Sequence, residues 1–315
     1  MTIKKQNSRL TNDDIATMKD IFLLLEEKHP TAAYDLLKII QKNRPNSPLI
    51  QTRLSIDSLP DAASRHYNIH IGIHKTATTF LQQQLEISFK NDLEIKYIPL
   101  NQLRNWRKKK GFYFILEHLQ GYKKSIISDE NIIGSAAMIK SGQLYTKVFS
   151  QVSRYINSTG KNNTTVFISL RSYHAFLTSI YCEYLRHNPF IRFSIYIQKI
   201  IPDTISWYEV FSPLIFKYPE VEFQIFNFDN FEKNKTTLLK NISFGQVSEF
   251  SPDIPVSRAT FSEYEIAQLS GDKEFIESAS HSRFQPFSEQ EIADGKARFQ
   301  QDLERFAELP NVTLF

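Results

Sequence analysis

The run Tyr67-Asn-Ile-His-Ile-Gly-Ile has the pattern of a short buried strand, and it passes without a break into His74-Lys-Thr-Ala-Thr-Thr. Residues 80–89 follow with apolar markers at Leu81, Leu85 and Ile87, which predicts a helix. A strand that turns straight into a helix through a loop carrying a lysine and three threonines constrains this chain more than any other feature. A helix N-terminus offers unpaired backbone N–H groups and the positive end of a macrodipole, so such a turn suits a phosphate. Lys75 would add a full charge, and Thr76, Thr78 and Thr79 would add hydroxyl donors at the same mouth. The bland alternative is a helix cap with a solvated lysine. The chain has only 9 glycines, well below the usual share of about 7%, so Gly72, placed just after the strand, is informative.

The rest of the chain repeats the alternation. Residues 93–99 predict a strand, and Ser125-Ile-Ile-Ser predicts another that ends at Asp129-Glu130. Thr164-Thr-Val-Phe-Ile-Ser-Leu is the clearest strand, with Arg171 at its end and a helix predicted over 173–185. A further strand is expected over 221–228. Strands alternating with helices point to an α/β fold with a parallel sheet covered on both faces. Ligands in such folds bind beyond the carboxyl ends of the strands, which would gather Lys75, Glu130 and Arg171. Upstream, Thr11-Asn-Asp-Asp caps a predicted helix, His29-Pro30 breaks it, and residues 32–41 predict a second. The expected organisation is therefore a small helical appendage at 1–60, a linker containing Pro60, and a main domain at 67–315.

Composition narrows the function classes. A chain of 315 residues accommodates one large α/β domain with an appendage, and 41% hydrophobic with 23% charged residues excludes disorder throughout. The formal charge of +4 permits an anionic ligand without arguing for nucleic acid. Cys182 is the single cysteine, so an internal disulfide and a cysteine-based zinc cluster are both excluded. The first residues carry no apolar signal region, and no run approaches 18 apolar residues. The expectation is an intracellular, cytoplasmic protein without a transmembrane segment.

The loop is a poor match to a nucleoside-triphosphate loop, which needs Gly-x-x-x-x-Gly-Lys-Ser/Thr, because His74 stands where glycine is required. The segment His70-Ile-Gly-Ile-His-Lys-Thr-Ala-Thr-Thr-Phe-Leu-Gln instead resembles the first signature of sulfotransferases that use 3′-phosphoadenosine 5′-phosphosulfate (PAPS), particularly bacterial members with a His-Lys-Thr-Gly-Thr-Thr loop. In that family the loop wraps the 5′-phosphosulfate end of the donor, a P-loop-like arrangement. Ala77 stands where the family usually has glycine; if the position requires a positive φ, alanine is strained there. The family's second signature is an arginine at a strand end with a serine eight residues later, and together they hold the donor's 3′-phosphate. Arg171 and Ser179 match that spacing, and an arginine fork gives paired charge-assisted bonds to phosphate oxygens.

The resemblance covers about 67–315 and implies further roles. Arg258, in Pro255-Val-Ser-Arg, lies where the family often adds a 3′-phosphate contact, and Arg283-Phe-Gln-Pro-Phe-Ser with the amphipathic helix after it resembles the closing segment of the bacterial members. Donor binding would then fall to Lys75, Thr76, Ala77, Thr78, Thr79, Arg171, Ser179 and Arg258. Lys75 would neutralise charge on the leaving phosphate oxygen, with no metal required, and the product would be PAP. Family members use a glutamate or histidine base near the strand that follows, which nominates Glu130, beside Asp129, with His74 as rival. The plain alternative for Glu130 is a helix cap or an ion pair with a lysine. The basic run Arg104-Asn-Trp-Arg-Lys-Lys-Lys is either a solvated helix face or an attractor for an anionic acceptor such as a polysaccharide. The expected acceptor is a small molecule or saccharide bearing a hydroxyl or amine, and the N-terminal helices are a candidate surface for a protein partner. An ATP-using phosphotransferase and a non-catalytic nucleotide-binding module are the competing readings.

Overall fold

A computed structural model describes residues 65–315, except 91, 93, 120–121, 140–141, 143, 201, 253 and 255–259, together with Met18, Ile21, Ala32, Leu36, Ile39 and Ile40. Those six early positions are helical; the remainder of the expected appendage at 1–60 and the linker lie outside the described residues. The chain divides into one unit of residues 1–65 with 106–121 and a second of residues 66–105 with 122–315. In the first unit, Gly111 at φ 85° follows residues 106–109, the last turn of the helix Leu100–Lys109, and the helix Phe112–Leu119 begins. There the Trp106 ring packs on Phe114 and His118, with centroids 5.1 and 4.4 Å away.

In the second unit six strands form one all-parallel sheet: β1 (His66–His70), β2 (Ile95–Tyr97), β3 (Lys124–Ser128), β4 (Thr164–Leu170), β5 (Glu222–Asn227) and β6 (Val312–Leu314), in the order β2-β3-β1-β4-β5-β6. Helices α1 (Thr78–Phe89), α2 (Val148–Thr159), α3 (Tyr173–Leu185), α4 (Trp207–Lys217), α5 (Phe231–Ile242), α6 (Glu263–Ser270) and α7 (Glu289–Ala307) flank it. The fold is the expected α/β class with a P-loop-like parallel sheet. After β1 the chain moves to the β2 side and after β4 to the β5 side, so the crevice beyond the ends of β1 and β4 is the switch point where such sheets bind ligands.

The strands that carry this crevice are apolar because both their faces are covered. Ile69, Ile126, Ile127, Val166, Phe167 and Ile168 are all buried. On one face Leu81, Leu85 and Phe89 of α1 and Leu238, Leu239 and Ile242 of α5 pack against Ile95, Ile126, Phe167 and Phe226. Among the remaining helices, Trp207 of α4 lies 5.8 Å from Tyr173 and 5.1 Å from Phe176 of α3. Buried Asp302 of α7 accepts hydrogen bonds from the Tyr173 hydroxyl (2.5 Å), the Ser206 hydroxyl (2.9 Å) and the Tyr208 N–H (3.0 Å), tying three helix segments together. Trp207 in turn donates its indole N–H to the Arg171 carbonyl at 2.7 Å, so the end of β4 is fixed from below. Among the described residues no helix is long and apolar enough to cross a membrane.

His70 closes β1 between two serines, with Nδ1 2.9 Å from Ser128 Oγ and Nε2 3.2 Å from Ser169 Oγ. Burial lowers its pKa to about 4, so it sits neutral in the sheet centre. Gly72 lies above it, and a Cβ there would meet Thr76 Oγ1 at 2.9 Å and both His70 Nε2 and Ser169 Cβ at 3.1 Å. The scarce glycine is required by this close approach.

Candidate active site

The loop after β1 begins as a continuation of the sheet, with the N–H groups of Ile71 and Ile73 donating to the carbonyls of Phe167 and Ser169. It then turns through two left-handed residues, Lys75 (φ 70°) and Ala77 (φ 52°, ψ 26°). Thr76 is buried, and its hydroxyl donates to the Ile73 carbonyl at 2.7 Å, which closes the turn. Ala77 is the N-cap of α1 and supplies no side-chain cap, so the first N–H groups of the helix face the crevice unserved by a cap. Turns of this kind concentrate backbone N–H groups into an anion-binding concavity.

A left-handed alanine costs about 1–2 kcal/mol relative to the right-handed region, whereas glycine adopts it freely. Ala77→Gly should therefore stabilise the fold by about 1 kcal/mol, a rise of roughly 2–4 °C in Tm for a unit of this size. A thermal melt in which the variant unfolds at a lower temperature would mean that contacts of the Ala77 methyl outweigh the strain.

A cavity of about 950 Å³ opens over this loop. It gathers His74, Lys75, Ala77, Thr78 and Thr79 from the loop, Glu130 from the end of β3, and Arg171 with Ser179 from the end of β4 and from α3. Of the residues expected from the sequence, Thr76 is turned inward and does not line it, and Arg258 lies outside the described residues. The wall also includes Phe228 and Phe231 after β5, Asn131, Glu183 and Arg283.

Arg171 is buried, and its position is held by a hydrogen bond from Nη1 to the Lys75 carbonyl (3.1 Å) and by the Phe228 ring beneath the guanidinium (5.2 Å). Its Nε is buried without a hydrogen-bond partner. Burial and the neighbouring Arg283 together pull its pKa down to about 10, only partly offset by Asp229. Arg283 enters from the C-terminal segment through an antiparallel bridge to Ser262, and its Nη2 donates to Thr260 Oγ1 at 2.9 Å. A second cavity of about 410 Å³ shares Arg171, Phe228 and Arg283 with the first. Two guanidiniums that repel each other in a concave, partly buried site make a place where an anion is stabilising.

Glu130 and Asp129 are held by one arginine. Arg104 donates to Asp129 Oδ1 from Nε (3.1 Å) and Nη2 (2.7 Å), and to Glu130 Oε1 from Nη2 (3.0 Å). The other Glu130 oxygen accepts from Gln82 Nε2 at 3.1 Å. Burial pushes the Glu130 pKa up, but Arg104, its own backbone N–H, His74 and Gln82 outweigh burial and hold it below the ordinary glutamate value. Glu130 is thus ion-paired, but with an arginine of the basic run and not with the lysine foreseen, and the cap of the short turn Glu130–Ile132 is Asp129, through the Asn131 N–H, and not Glu130. Lys108, Lys109 and Lys110 at the end of that run are exposed.

His74 has a partner on each ring nitrogen: Nδ1 lies 2.9 Å from the Tyr145 hydroxyl and Nε2 2.9 Å from Asn131 Oδ1. An amide oxygen only accepts, so Nε2 carries the proton and Nδ1 accepts from the tyrosine. Burial lowers the His74 pKa, opposed by Asn131 and the nearby carboxylates, which keeps the ring neutral. Tyr145 also accepts the His74 N–H at 2.9 Å, and its ring stacks on the imidazole at 5.7 Å. Sequence reasoning missed Tyr145, Asn131 and Glu183, which stand in no local pattern, and it noted Arg283 only as part of the closing segment, without a place in the site.

A parallel sheet whose first strand passes through a strained Lys/Thr loop into an uncapped helix, facing a buried arginine at the end of the adjacent strand, defines a phosphate-loop-like α/β protein. No protein-family model matches the sequence, and no curated protein does. Among solved structures, the chain is similar to the crystal structure of a sulfotransferase from Alicyclobacillus acidocaldarius, at 12% identity and a TM-score of 0.40, over 68% of this chain and 95% of that one.

Proposed function

We propose that the protein is a sulfotransferase that moves a sulfuryl group from PAPS to a hydroxyl or amine acceptor, carbohydrates included, and leaves PAP. The observation that carries this reading is Arg171: a buried guanidinium beside a second arginine, lining the same cavity as an N–H-rich loop that bears Lys75 and hydrogen-bonded to the Lys75 carbonyl of that loop. An N–H-rich loop and a pair of arginines in one crevice suit a nucleotide phosphorylated at both 3′ and 5′ positions. The loop N–H groups with Lys75, Thr78 and Thr79 take the 5′ end, and Arg171 with Ser179 and Arg283 takes the 3′-phosphate. Phe228 and Phe231 line the same cavity, and Phe231 would offer an apolar surface to a purine.

The acceptor oxygen or nitrogen bonds to sulfur as the sulfur–oxygen bond to the leaving phosphate breaks, and the bonding pair stays on that phosphate. Lys75 stabilises the charge that grows there, and the loop N–H groups spread it, which is electrostatic stabilisation aimed at developing charge. The Glu130 carboxylate, ionised at neutral pH, takes the acceptor proton. Neutral His74, with both nitrogens engaged, shapes the turn.

PAP should bind without a divalent metal. At about 100 times its dissociation constant, linkage adds roughly 2.7 kcal/mol of stability, so Tm in the presence of EDTA should rise by about 5 °C or more. A melting scan with no shift at saturating PAP sinks the reading.

A further inference from the structure

Glu183 is a carboxylate set among groups that otherwise suit anions. It lies on α3 one turn beyond Ser179 and lines the same cavity. Its Oε2 accepts from Lys75 Nζ at 3.2 Å and from Arg186 Nη1 at 3.3 Å, and its Oε1 lies 3.4 Å from His187 Nε2. The Lys75 and Glu183 side chains are only 14% and 15% exposed, so solvent and salt screen the pair weakly. The left-handed backbone of Lys75 fixes where that side chain starts, and Arg171 grips its carbonyl. One ammonium cannot serve Glu183 and an anion in the loop at full strength together.

We propose that Glu183 is a positioning residue that competes with the donor's 5′ end for Lys75. With the loop empty, Glu183 holds the ammonium against α3. When an anion enters the loop, Lys75 swings to it and Glu183 falls back on the Arg186 guanidinium and the His187 ring beside it. This rests on the reading above that the loop takes the phosphosulfate end of the donor. The competition lowers donor affinity in a way that depends on Lys75 and on the 5′-phosphate, which a purely structural role for Glu183 would not do.

Calorimetric titration at fixed ionic strength tests this with three probes: PAP, adenosine 3′-phosphate, which lacks the 5′-phosphate, and inorganic pyrophosphate. Glu183→Gln keeps shape and removes charge, so it should tighten PAP and pyrophosphate by about tenfold, roughly 1.4 kcal/mol. Adenosine 3′-phosphate should stay within about twofold of wild type, because a neutralised residue beside the loop acts only over a screened distance on the other phosphate. Glu183→Asp, which keeps the charge, should show no gain, and the gain should vanish on a Lys75→Ala background, as coupled neighbours require. Unchanged or weaker PAP binding by Glu183→Gln overturns the proposal, as does an equal gain for adenosine 3′-phosphate or a gain that survives Lys75→Ala. Should Glu183→Gln fail to fold, Arg186→Ala decides instead. It strips a competing cation from Glu183 and should weaken PAP and pyrophosphate severalfold but not adenosine 3′-phosphate, and unchanged affinities overturn the proposal. If the wild type takes pyrophosphate but not PAP, the donor reading fails while the competition is still read with pyrophosphate. If it takes neither, both fall.

Discussion

Replacing Arg171 by alanine is expected to weaken PAP by tenfold or more, since a charge-assisted hydrogen bond contributes about 1.5–3 kcal/mol. Adenosine 5′-phosphosulfate, which lacks the 3′-phosphate, should bind nearly as it does to the wild type. The asymmetry follows from where the guanidinium sits, buried at the end of β4, with Arg283 adding like charge and Nε lacking a partner. Arg171 also donates to the Lys75 carbonyl, so it supports the loop that takes the other end of the donor. The pair of ligands separates these roles: support of the loop would weaken both, contact with the 3′-phosphate only one. Arg171→Lys sharpens the test, because lysine restores the charge but not the planar fork. Equal losses for both ligands would assign Arg171 to the loop, and the 3′-phosphate would need another seat.

Much of the fold was legible because several elements state themselves locally. The unbroken run Thr164–Leu170 is a strand in the structure, and the helix predicted over 173–185 is Tyr173–Leu185. Strand β6, Val312–Leu314, left no such trace, since a strand of three residues exists through its pairing with β5. At Ala77, where the resembling signature has glycine, strain was expected if φ were positive, and φ is 52°; the left-handed Lys75 beside it was not foreseen. Of the residues that line the cavity, sequence reasoning reached those beside a strand end, Lys75, Glu130 and Arg171, and Ser179 through its spacing from Arg171. Arg283 is one of 38 basic residues, and only its bridge to Ser262 turns it toward the crevice. Glu183 looked like any polar position of an aromatic helix, and its meaning depends on a lysine delivered by a different strand. Partners that meet only through the tertiary fold leave no spacing to read.

Lys75 and Glu130 should separate binding from chemistry. In the proposed mechanism Lys75 would face the leaving group and its interaction would strengthen as charge develops, so Lys75→Ala should lower kcat more than it weakens PAP. Release from Glu183 adds to that contrast: in the empty site Lys75 is already paired, so part of what it gives a ground-state ligand is lost from the ion pair. As the proposed base, Glu130 would contact the acceptor and not the nucleotide, so Glu130→Gln should leave PAP affinity near that of the wild type. Its turnover should fall by about 10²-fold or more, the lower end for a lost general base. The pH profile supplies an independent sign. Glu130 must be ionised to take a proton, and Arg104 holds its pKa below the ordinary 4.5 in spite of burial. The acidic limb of kcat/KM should therefore lie below 4.5, and Arg104→Gln, which removes the cation while burial remains, should move it upward. In Glu130→Gln that limb should disappear. A variant that keeps near-normal turnover and an unchanged limb would transfer the base to Asp129 or His74, and Asp129→Asn beside His74→Ala would show which. Asp129 shares Arg104 with Glu130, whereas His74 would first have to give up its bond to Tyr145 or Asn131.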